Sequence, residues 1–177
     1  VDLDEQVLIA YEGDVAVYAT MISGGRGRST PTGIHRIAKK IARTRLKAPE
    51  VSLGRWDLPD VPFSMRFRKY YAVHGVYWHD SFGKPRSQGC VNLSPRDARF
   101  VFEWSHPQVP HGWLDARDHD GGTPIRLRNR RNTDPAGPIT TAIRRRRWCC
   151  AIRTTTTEGA GLRTGGPRRP RRRRPRA

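Results

Sequence analysis

The segment HGVYWHDSFGKPRSQGCVN, residues 74–92, constrains the fold and chemistry of this chain more than any other stretch. The apolar run before it predicts a strand that ends at His74 and Gly75, and a glycine-containing loop follows. Cys90 closes that loop, directly behind the small and flexible Gly89. A nucleophilic thiol needs a base nearby in space and backbone amides that hold a developing oxyanion. The segment contains candidates for both.

The residues after Cys90 predict a helix. Ser94 can cap the N-terminus, Pro95 suits the first helical position, and Asp97 favours the positive end of the helix dipole. Apolar side chains recur as far as Trp104, and two prolines beyond it end the pattern. We therefore expect one helix immediately after the cysteine.

The rest of the first 130 residues predicts mainly strands. Residues 7–11 and 15–22 flank a short turn, which is typical of a hairpin. Residues 39–47 are expected to form an exposed strand or loop, and residues 53–62 an irregular stretch because they contain two prolines. The fold class is therefore mostly β (α+β), with further strands predicted at residues 34–40, 65–67, 70–76 and 123–127.

The positive charge is concentrated near the C-terminus. Residues 139–177 contain 13 Arg, no Lys and one acid, which accounts for +12 of the formal net charge of +18. After Arg131 the composition changes to Arg, Thr, Gly and Pro without apolar periodicity, a pattern typical of disordered tails. We expect a catalytic domain over residues 1–130 and a disordered tail over residues 131–177.

The three cysteines do not suggest a disulfide framework. Cys149 and Cys150 are adjacent in the tail, and an isolated cysteine such as Cys90 is most often a buried apolar residue. The glycine and histidines near Cys90 favour a catalytic role instead. His74, His79 and Cys90 are also possible zinc ligands, but no second pair stands at a zinc spacing. We expect no metal and no organic cofactor.

No run of about 18 apolar residues occurs, so we expect no membrane span. No signal-peptide pattern is visible either, and the route of export stays open.

The segment resembles the catalytic motif of L,D-transpeptidases, the cysteine enzymes that cross-link peptidoglycan. Members carry His-Gly on one strand and then Ser-x-Gly-Cys, an apolar residue and Asn or Arg. Here His74-Gly75 and residues 87–92 supply these elements. Gln88 stands where many members have His. The resemblance extends over residues 1–128 through the opening hairpin, Thr30-Pro31-Thr32-Gly33 and Gly122-Thr123-Pro124-Ile125.

The resemblance implies an L,D-transpeptidase-like β-sandwich with Cys90 as the nucleophile. His74 would be the general base and acid, held as an imidazolium beside the thiolate. The backbone carbonyl of Gly75 would orient the imidazole, with Asp80 as the side-chain alternative, and the amide of Gly89, with that of Cys90, would hold the oxyanion. His79 is the alternative base. Substrate-binding positions would be Ser87, Asn92, Tyr77, Trp78 and His79.

The implied reaction forms 3→3 cross-links through a cysteine thioester, as part of peptidoglycan biosynthesis, cell wall organization and cell shape. L,D-carboxypeptidase activity on the same fold is an alternative. The partners would be peptidoglycan stem peptides and carbapenem-type inhibitors. The location would be the cell wall, outside the cytoplasm.

The Arg-rich tail supports a rival interpretation as a nucleic-acid or anionic-polymer binding protein. Its charge lies in low-complexity sequence, so we do not expect nucleic acid as a partner. The tail could also be an out-of-register reading of a GC-rich gene. A catalytically inactive wall-binding domain is a further alternative, and the presence of His74, Gly89 and Cys90 argues against it.

Overall fold

The computed structural model describes residues 1–48, 56–118 and 120–130. These residues form mainly β-strands, together with one α-helix, so the predicted mostly-β class with a helix after Cys90 is confirmed. The elements are β1 (Val7–Glu12), β2 (Val15–Met21), β3 (Gly33–Arg36), β4 (Lys39–Lys47), β5 (Asp57–Arg68), β6 (Tyr71–Gly75), β7 (Val91–Leu93), α1 (Pro95–Trp104), β8 (Asp115–Arg117) and β9 (Pro124–Leu127).

The described strands form three sheets. β1 pairs with β2, β3 pairs with β9, and the largest sheet has the order β7-β6-β5-β4-β8. All pairs are antiparallel except β6 and β7, which run parallel with Val73 opposite Val91 and His74 opposite Asn92. A parallel pair needs a crossover connection. The segment between β6 and β7 is that connection, and it carries the motif residues from one strand to the next.

The helix forms as its sequence predicts. The Ser94 hydroxyl accepts a hydrogen bond from the Asp97 amide at 3.2 Å, and Pro95 occupies the first helical position. The Asp97 carboxylate also accepts hydrogen bonds from the hydroxyls of Tyr18 and Thr20, each at 2.7 Å. One side chain therefore joins the start of α1 to strand β2.

The core lies between α1 and one face of the large sheet. Its buried side chains include Met65, Val73, Val91, Leu93, Ala98 and Val101. Gly75 belongs to the same face, because an added Cβ would lie 2.9 Å from Pro62 Cγ and 3.2 Å from Ala98 Cβ. Since side chains alternate along a strand, His74 and Asn92 lie on the opposite face of the sheet from the helix.

The region that we predicted as irregular is largely strand. Residues 57–62 belong to β5, and Pro59 and Pro62 are both within it. The backbone absorbs them through positive φ angles at Asp60 (53°) and Phe63 (54°), and through a shift in the β4–β5 register. The prolines disfavour a strand locally, but pairing with β4 forms one. Strands β7 and β8, three residues each, were also not predicted as strands.

Lys40 contradicts the prediction that residues 39–47 are exposed. Its side chain has no solvent-exposed surface. The ammonium group donates to the carbonyls of Phe102 and, at 2.7 Å, Ser105, and it lies 4.5 Å from the centre of the Phe102 ring. Burial lowers the pKa of Lys40 to about 8. Lys40 thus satisfies carbonyls at the C-terminal end of α1 that the helix itself leaves free.

The predicted tail, with Cys149 and Cys150, lies outside the described residues, and the boundary near residue 130 stays a prediction. In the described ranges, no helix has both the length and the apolar character required to span a membrane.

Candidate active site

The parallel pairing of β6 with β7 determines which motif residues share a surface. The register that sets His74 opposite Asn92 brings Cys90 level with Ala72. Side chains alternate along each strand, so His74, Asn92 and Cys90 all belong to the sheet face that points away from α1. His74 is only 2% exposed and Asn92 4%, whereas Cys90 is partly exposed. Cys90 is therefore the most exposed residue of the three.

The His74 imidazole is held in one tautomer. Its Nδ1 lies 3.0 Å from the carbonyl oxygen of Gly75. A carbonyl can only accept, so Nδ1 must carry the proton and Nε2 must carry the lone pair. Burial lowers the pKa of His74 to about 4, although the bond to Gly75 acts in the opposite direction. Near neutral pH the ring is therefore uncharged and has an acceptor nitrogen.

The Cys90 thiol is directed towards the start of β6. Its Sγ lies 3.9 Å from the carbonyl oxygen of Tyr70. Burial raises the pKa of Cys90, against smaller lowering effects of the Ala72 amide and the Arg66 charge. Among the described residues, no hydrogen bond joins this thiol to His74. Both pKa shifts favour a neutral thiol and a neutral imidazole, and the thiolate–imidazolium pair expected from the sequence stays a prediction.

Ser87 closes the loop that carries the cysteine. Its hydroxyl donates to the Cys90 carbonyl at 2.5 Å and accepts from the Gly89 amide at 3.0 Å. The Gly89 amide, which we expected to be free for an oxyanion, is therefore engaged within the loop. Gly89 has a φ of 139°, and an added Cβ would lie 2.5 Å from Tyr71 Cε1. Only glycine fits at this position.

His79 is bonded through both ring nitrogens. Its Nδ1 accepts from the Ser81 amide at 3.2 Å, so Nε2 must carry the proton. Nε2 lies 3.0 Å from Nδ2 of Asn92, whose Oδ1 is otherwise buried without a partner. Turning the Asn92 amide by 180° removes this conflict, since Oδ1 then accepts from Nε2. Both nitrogens are therefore occupied, and neither is free to act as a base.

Two aromatic residues connect these groups. The Trp78 ring lies 6.0 Å from the His74 ring and 6.2 Å from the His79 ring, between centroids. Tyr77 packs edge-on against Trp78 at 5.0 Å and is 52% exposed. Its hydroxyl donates to the Pro59 carbonyl at 2.6 Å. Trp78 therefore contacts both histidine rings, while Tyr77 joins the site to β5.

Sequence reasoning missed the segment that holds the cysteine loop in place. Ser23 and Asn92 exchange two backbone hydrogen bonds of 2.9 Å. The Gly24 carbonyl accepts from the Ser87 amide at 3.0 Å, and the Arg26 amide donates to the Ser87 carbonyl at 2.9 Å. The glycines after Ser23 mark a loop in the sequence, but nothing local indicates its partner more than 60 residues away.

The residues weighed as zinc ligands form separate contacts. Cys90 bonds to Tyr70 and His79 to Asn92. Within the part of the chain that the structure describes, no three His, Cys, Asp or Glu side chains are placed to share a metal ion.

Residues 1–133 match the L,D-transpeptidase catalytic domain family YkuD. No curated protein matches the sequence. An L,D-transpeptidase from Mycobacterium smegmatis has a similar fold, with 20% identity and a TM-score of 0.57 over 72% of this chain and 56% of that one. The Enterococcus faecium L,D-transpeptidase catalytic domain, at 22% identity, gives a TM-score of 0.56 over 72% and 93%. That domain acylated by ertapenem gives 0.55, with the same identity and coverage.

These identities show a shared fold, and the chain spans about half the length of the Mycobacterium smegmatis protein. The family match covers most of the chain and includes the whole segment from His74 to Asn92. The chain therefore belongs to the L,D-transpeptidase catalytic domain family.

Proposed function

We propose that the chain is the catalytic domain of an L,D-transpeptidase that forms 3→3 cross-links through a thioester on Cys90. The observation that carries the proposal is the bond between His74 Nδ1 and the Gly75 carbonyl. It leaves Nε2 as a proton acceptor on the sheet face that also carries Cys90. The family match supports the same reaction class.

In the first half-reaction, Cys90 turns from the Tyr70 carbonyl towards the carbonyl carbon of the third stem residue. Because both groups are neutral at rest, His74 Nε2 takes the thiol proton as the carbon–sulfur bond forms. The tetrahedral intermediate collapses when the bond to the terminal D-alanine breaks. His74 returns the proton to the leaving amine, and a thioester remains on Cys90.

In the second half-reaction, the side-chain amine of another stem attacks the thioester. His74 accepts a proton from that amine and returns it to the departing sulfur. The product is a 3→3 cross-link and a free thiol. Water as the acceptor would give L,D-carboxypeptidase activity from the same intermediate.

The oxyanion needs donors in both steps. The Cys90 amide is one candidate. The Gly89 amide can serve as a second only if it exchanges the Ser87 hydroxyl for the oxyanion, because the two are bonded at rest. Losing one such donor typically slows acyl transfer about 100- to 1000-fold. Ser87 thus supports the loop and also competes for one of its donors.

The other motif residues have supporting roles in this proposal. His79 and Asn92 form one bonded pair that keeps the crossover segment in place beside His74. Trp78 packs near both histidine rings and supports their positions. Tyr77 is the exposed member of the group, which makes it the best candidate to line the substrate cleft.

Intact-mass spectrometry with ertapenem tests the nucleophile and the base. We expect one adduct on the natural protein, none on Cys90→Ala, strongly slowed acylation of His74→Ala, and acylation of His79→Ala that is only about tenfold slower. A folded natural protein without an adduct would refute an activated Cys90. Acylation lost in His79→Ala and kept in His74→Ala would assign the base to His79.

A second assay identifies the reaction. Purified tetrapeptide stems should yield a cross-linked dimer that lacks one D-alanine, detected by mass spectrometry. Tripeptide as the sole product would instead indicate a carboxypeptidase.

We also propose that the catalytic domain ends near residue 130 and acts outside the cytoplasm on the cell wall. A chain trimmed at residue 130 should keep its ertapenem acylation. If the main activity were binding of nucleic acid or anionic polymer through the tail, that binding would disappear on trimming.

A further inference from the structure

Three cationic side chains surround an open cavity beside the cysteine loop. Arg26, Lys84 and Arg86 line it together with Ser81 and Pro85, and its volume is about 310 Å³. We call this cavity the basic pocket. It has no acidic residue in its lining, and all three cationic residues are exposed.

The cations of the basic pocket have no acidic partner. None of the three forms an ion pair within the described ranges, although Asp2, Asp57 and Asp115 each pair with a cation elsewhere. Arg26 Nε donates to the Arg86 carbonyl at 2.9 Å, and Arg86 Nη1 donates to the Ser81 hydroxyl at 3.0 Å.

These two bonds orient the guanidinium groups and leave several of their N–H donors free. Three like charges that share one cavity repel each other, and an anion would relieve that repulsion. The basic pocket is therefore arranged for a negatively charged ligand.

The basic pocket is within reach of a substrate bound at the nucleophile. The Arg26 amide donates to the carbonyl of Ser87, three residues before Cys90. Arg86 stands four residues before Cys90, so their Cα atoms are separated by at most about 14 Å. The turn in which the Ser87 hydroxyl bonds to the Gly89 amide and the Cys90 carbonyl shortens this separation. When the third stem residue is held at the thiol, the first residue lies up to about 7 Å from it. A carboxylate near that end of the stem can therefore reach the pocket.

We propose that the basic pocket binds a carboxylate of the stem peptide and so selects stems whose carboxylates are free over stems in which they are amidated. Guanidinium groups match the planar carboxylate through paired hydrogen bonds, and Lys84 adds a point charge. This inference rests on the proposed function, since it assumes a stem peptide as the ligand. Because the pocket is open, added salt should weaken the interaction.

Binding can be measured without the chemical step by using the full chain with Cys90→Ala. Isothermal titration calorimetry would compare a tetrapeptide stem with free carboxylates against the same peptide amidated. The test variant carries Arg26→Gln, Lys84→Gln and Arg86→Gln. The control removes the same charge from exposed positions outside the pocket, through Lys47→Gln, Arg96→Gln and Arg117→Gln.

We expect Kd for the free peptide to rise at least tenfold in the test variant and to stay within twofold in the control. A tenfold change corresponds to about 1.4 kcal/mol. The amidated peptide should bind weakly to every variant with the same Kd. If the test variant does not fold, the single changes Lys84→Gln and Arg86→Gln should each raise Kd about threefold.

Equal Kd values in the test and control variants would overturn the proposal, as would an equal loss for the amidated peptide. A test variant that loses affinity for a glycerol phosphate polymer but not for the stem would assign the pocket to wall polymers instead. Thioester formation on the natural protein is a separate measurement. Its failure would refute the proposed reaction, and the Kd comparison would still decide the ligand of the pocket.

Discussion

Replacing Lys40 by Met tests whether a buried ammonium group stabilises the end of α1. Methionine has a similar length and is apolar, so the main change is the loss of the hydrogen bonds to the Phe102 and Ser105 carbonyls. The Ser105 carbonyl keeps a second donor, Gln108 Nε2, at 2.8 Å. Within the described residues, the Phe102 carbonyl keeps no other side-chain donor. Its burial without one should be the largest single cost.

The expected change in the free energy of unfolding is the difference between two opposing contributions. A hydrogen bond from a charged donor contributes about 1.5–3 kcal/mol, so losing two costs about 3–6 kcal/mol. The pKa of Lys40 is lowered by burial from 10.5 to about 8, and this corresponds to a penalty of about 3 kcal/mol at neutral pH. The substitution removes that penalty. We therefore expect Lys40→Met to reduce the free energy of unfolding by about 2 kcal/mol at pH 7.

The lowered pKa of Lys40 determines how the free energy of unfolding changes with pH. Between pH 8 and 10.5 the unfolded chain binds more protons at Lys40 than the folded chain does, so the unfolding free energy of the natural protein rises with pH there. Lys40→Met lacks this term, so its deficit should grow from about 2 to about 5 kcal/mol across the window.

Urea unfolding followed by tryptophan fluorescence, at several pH values, measures the difference directly. Lys47→Met is the matched control, because Lys47 is exposed on the same strand. It should change stability by less than about 0.5 kcal/mol at every pH. A deficit of Lys40→Met that stays constant or shrinks from pH 8 to 10.5 would refute the reasoning.

Three further outcomes concern the site. Gly89→Ala should slow ertapenem acylation at least about 100-fold, because the new Cβ would lie 2.5 Å from Tyr71 Cε1. Gly13→Ala is the control, since Gly13 is also at positive φ but has open space around it, and it should leave the rate unchanged. His79→Ala and Asn92→Ala should each slow acylation about tenfold, and the double variant should be no slower, because both residues act through one bond. A double variant about 100-fold slower than the natural protein would contradict this. The acylation rate of the natural protein should stay level from pH 7 to 5.5 and fall only towards pH 4, where His74 becomes protonated. A fall centred near pH 6.5 would show that the pKa of His74 is not lowered.

The sequence was sufficient where local chemistry decides the structure. The hairpin of β1 and β2 and the helix after Cys90 form as predicted, because turn residues, a serine cap and Pro95 act over a few positions. The family resemblance rests on His74-Gly75 and the motif of residues 87–92, which are also properties of the sequence alone. The spacing between these two elements corresponds to one crossover between parallel strands.

The tertiary structure decided the partner of each polar group. Lys40 is buried because α1 presents free carbonyls to it, although its own neighbours are basic and suggest an exposed strand. The loop after Ser23 holds the cysteine loop through backbone bonds that carry no side-chain signal.

The sequence by itself determined which residues are available for chemistry and which segments become the hairpin and the helix. Only the tertiary structure decided that His79 is bonded to Asn92 and that the Cys90 thiol lies against the Tyr70 carbonyl. The physical reason is the range of the interactions. Caps and turns involve residues a few positions apart, whereas burial, protonation and most hydrogen-bond partners depend on which distant segments pack together.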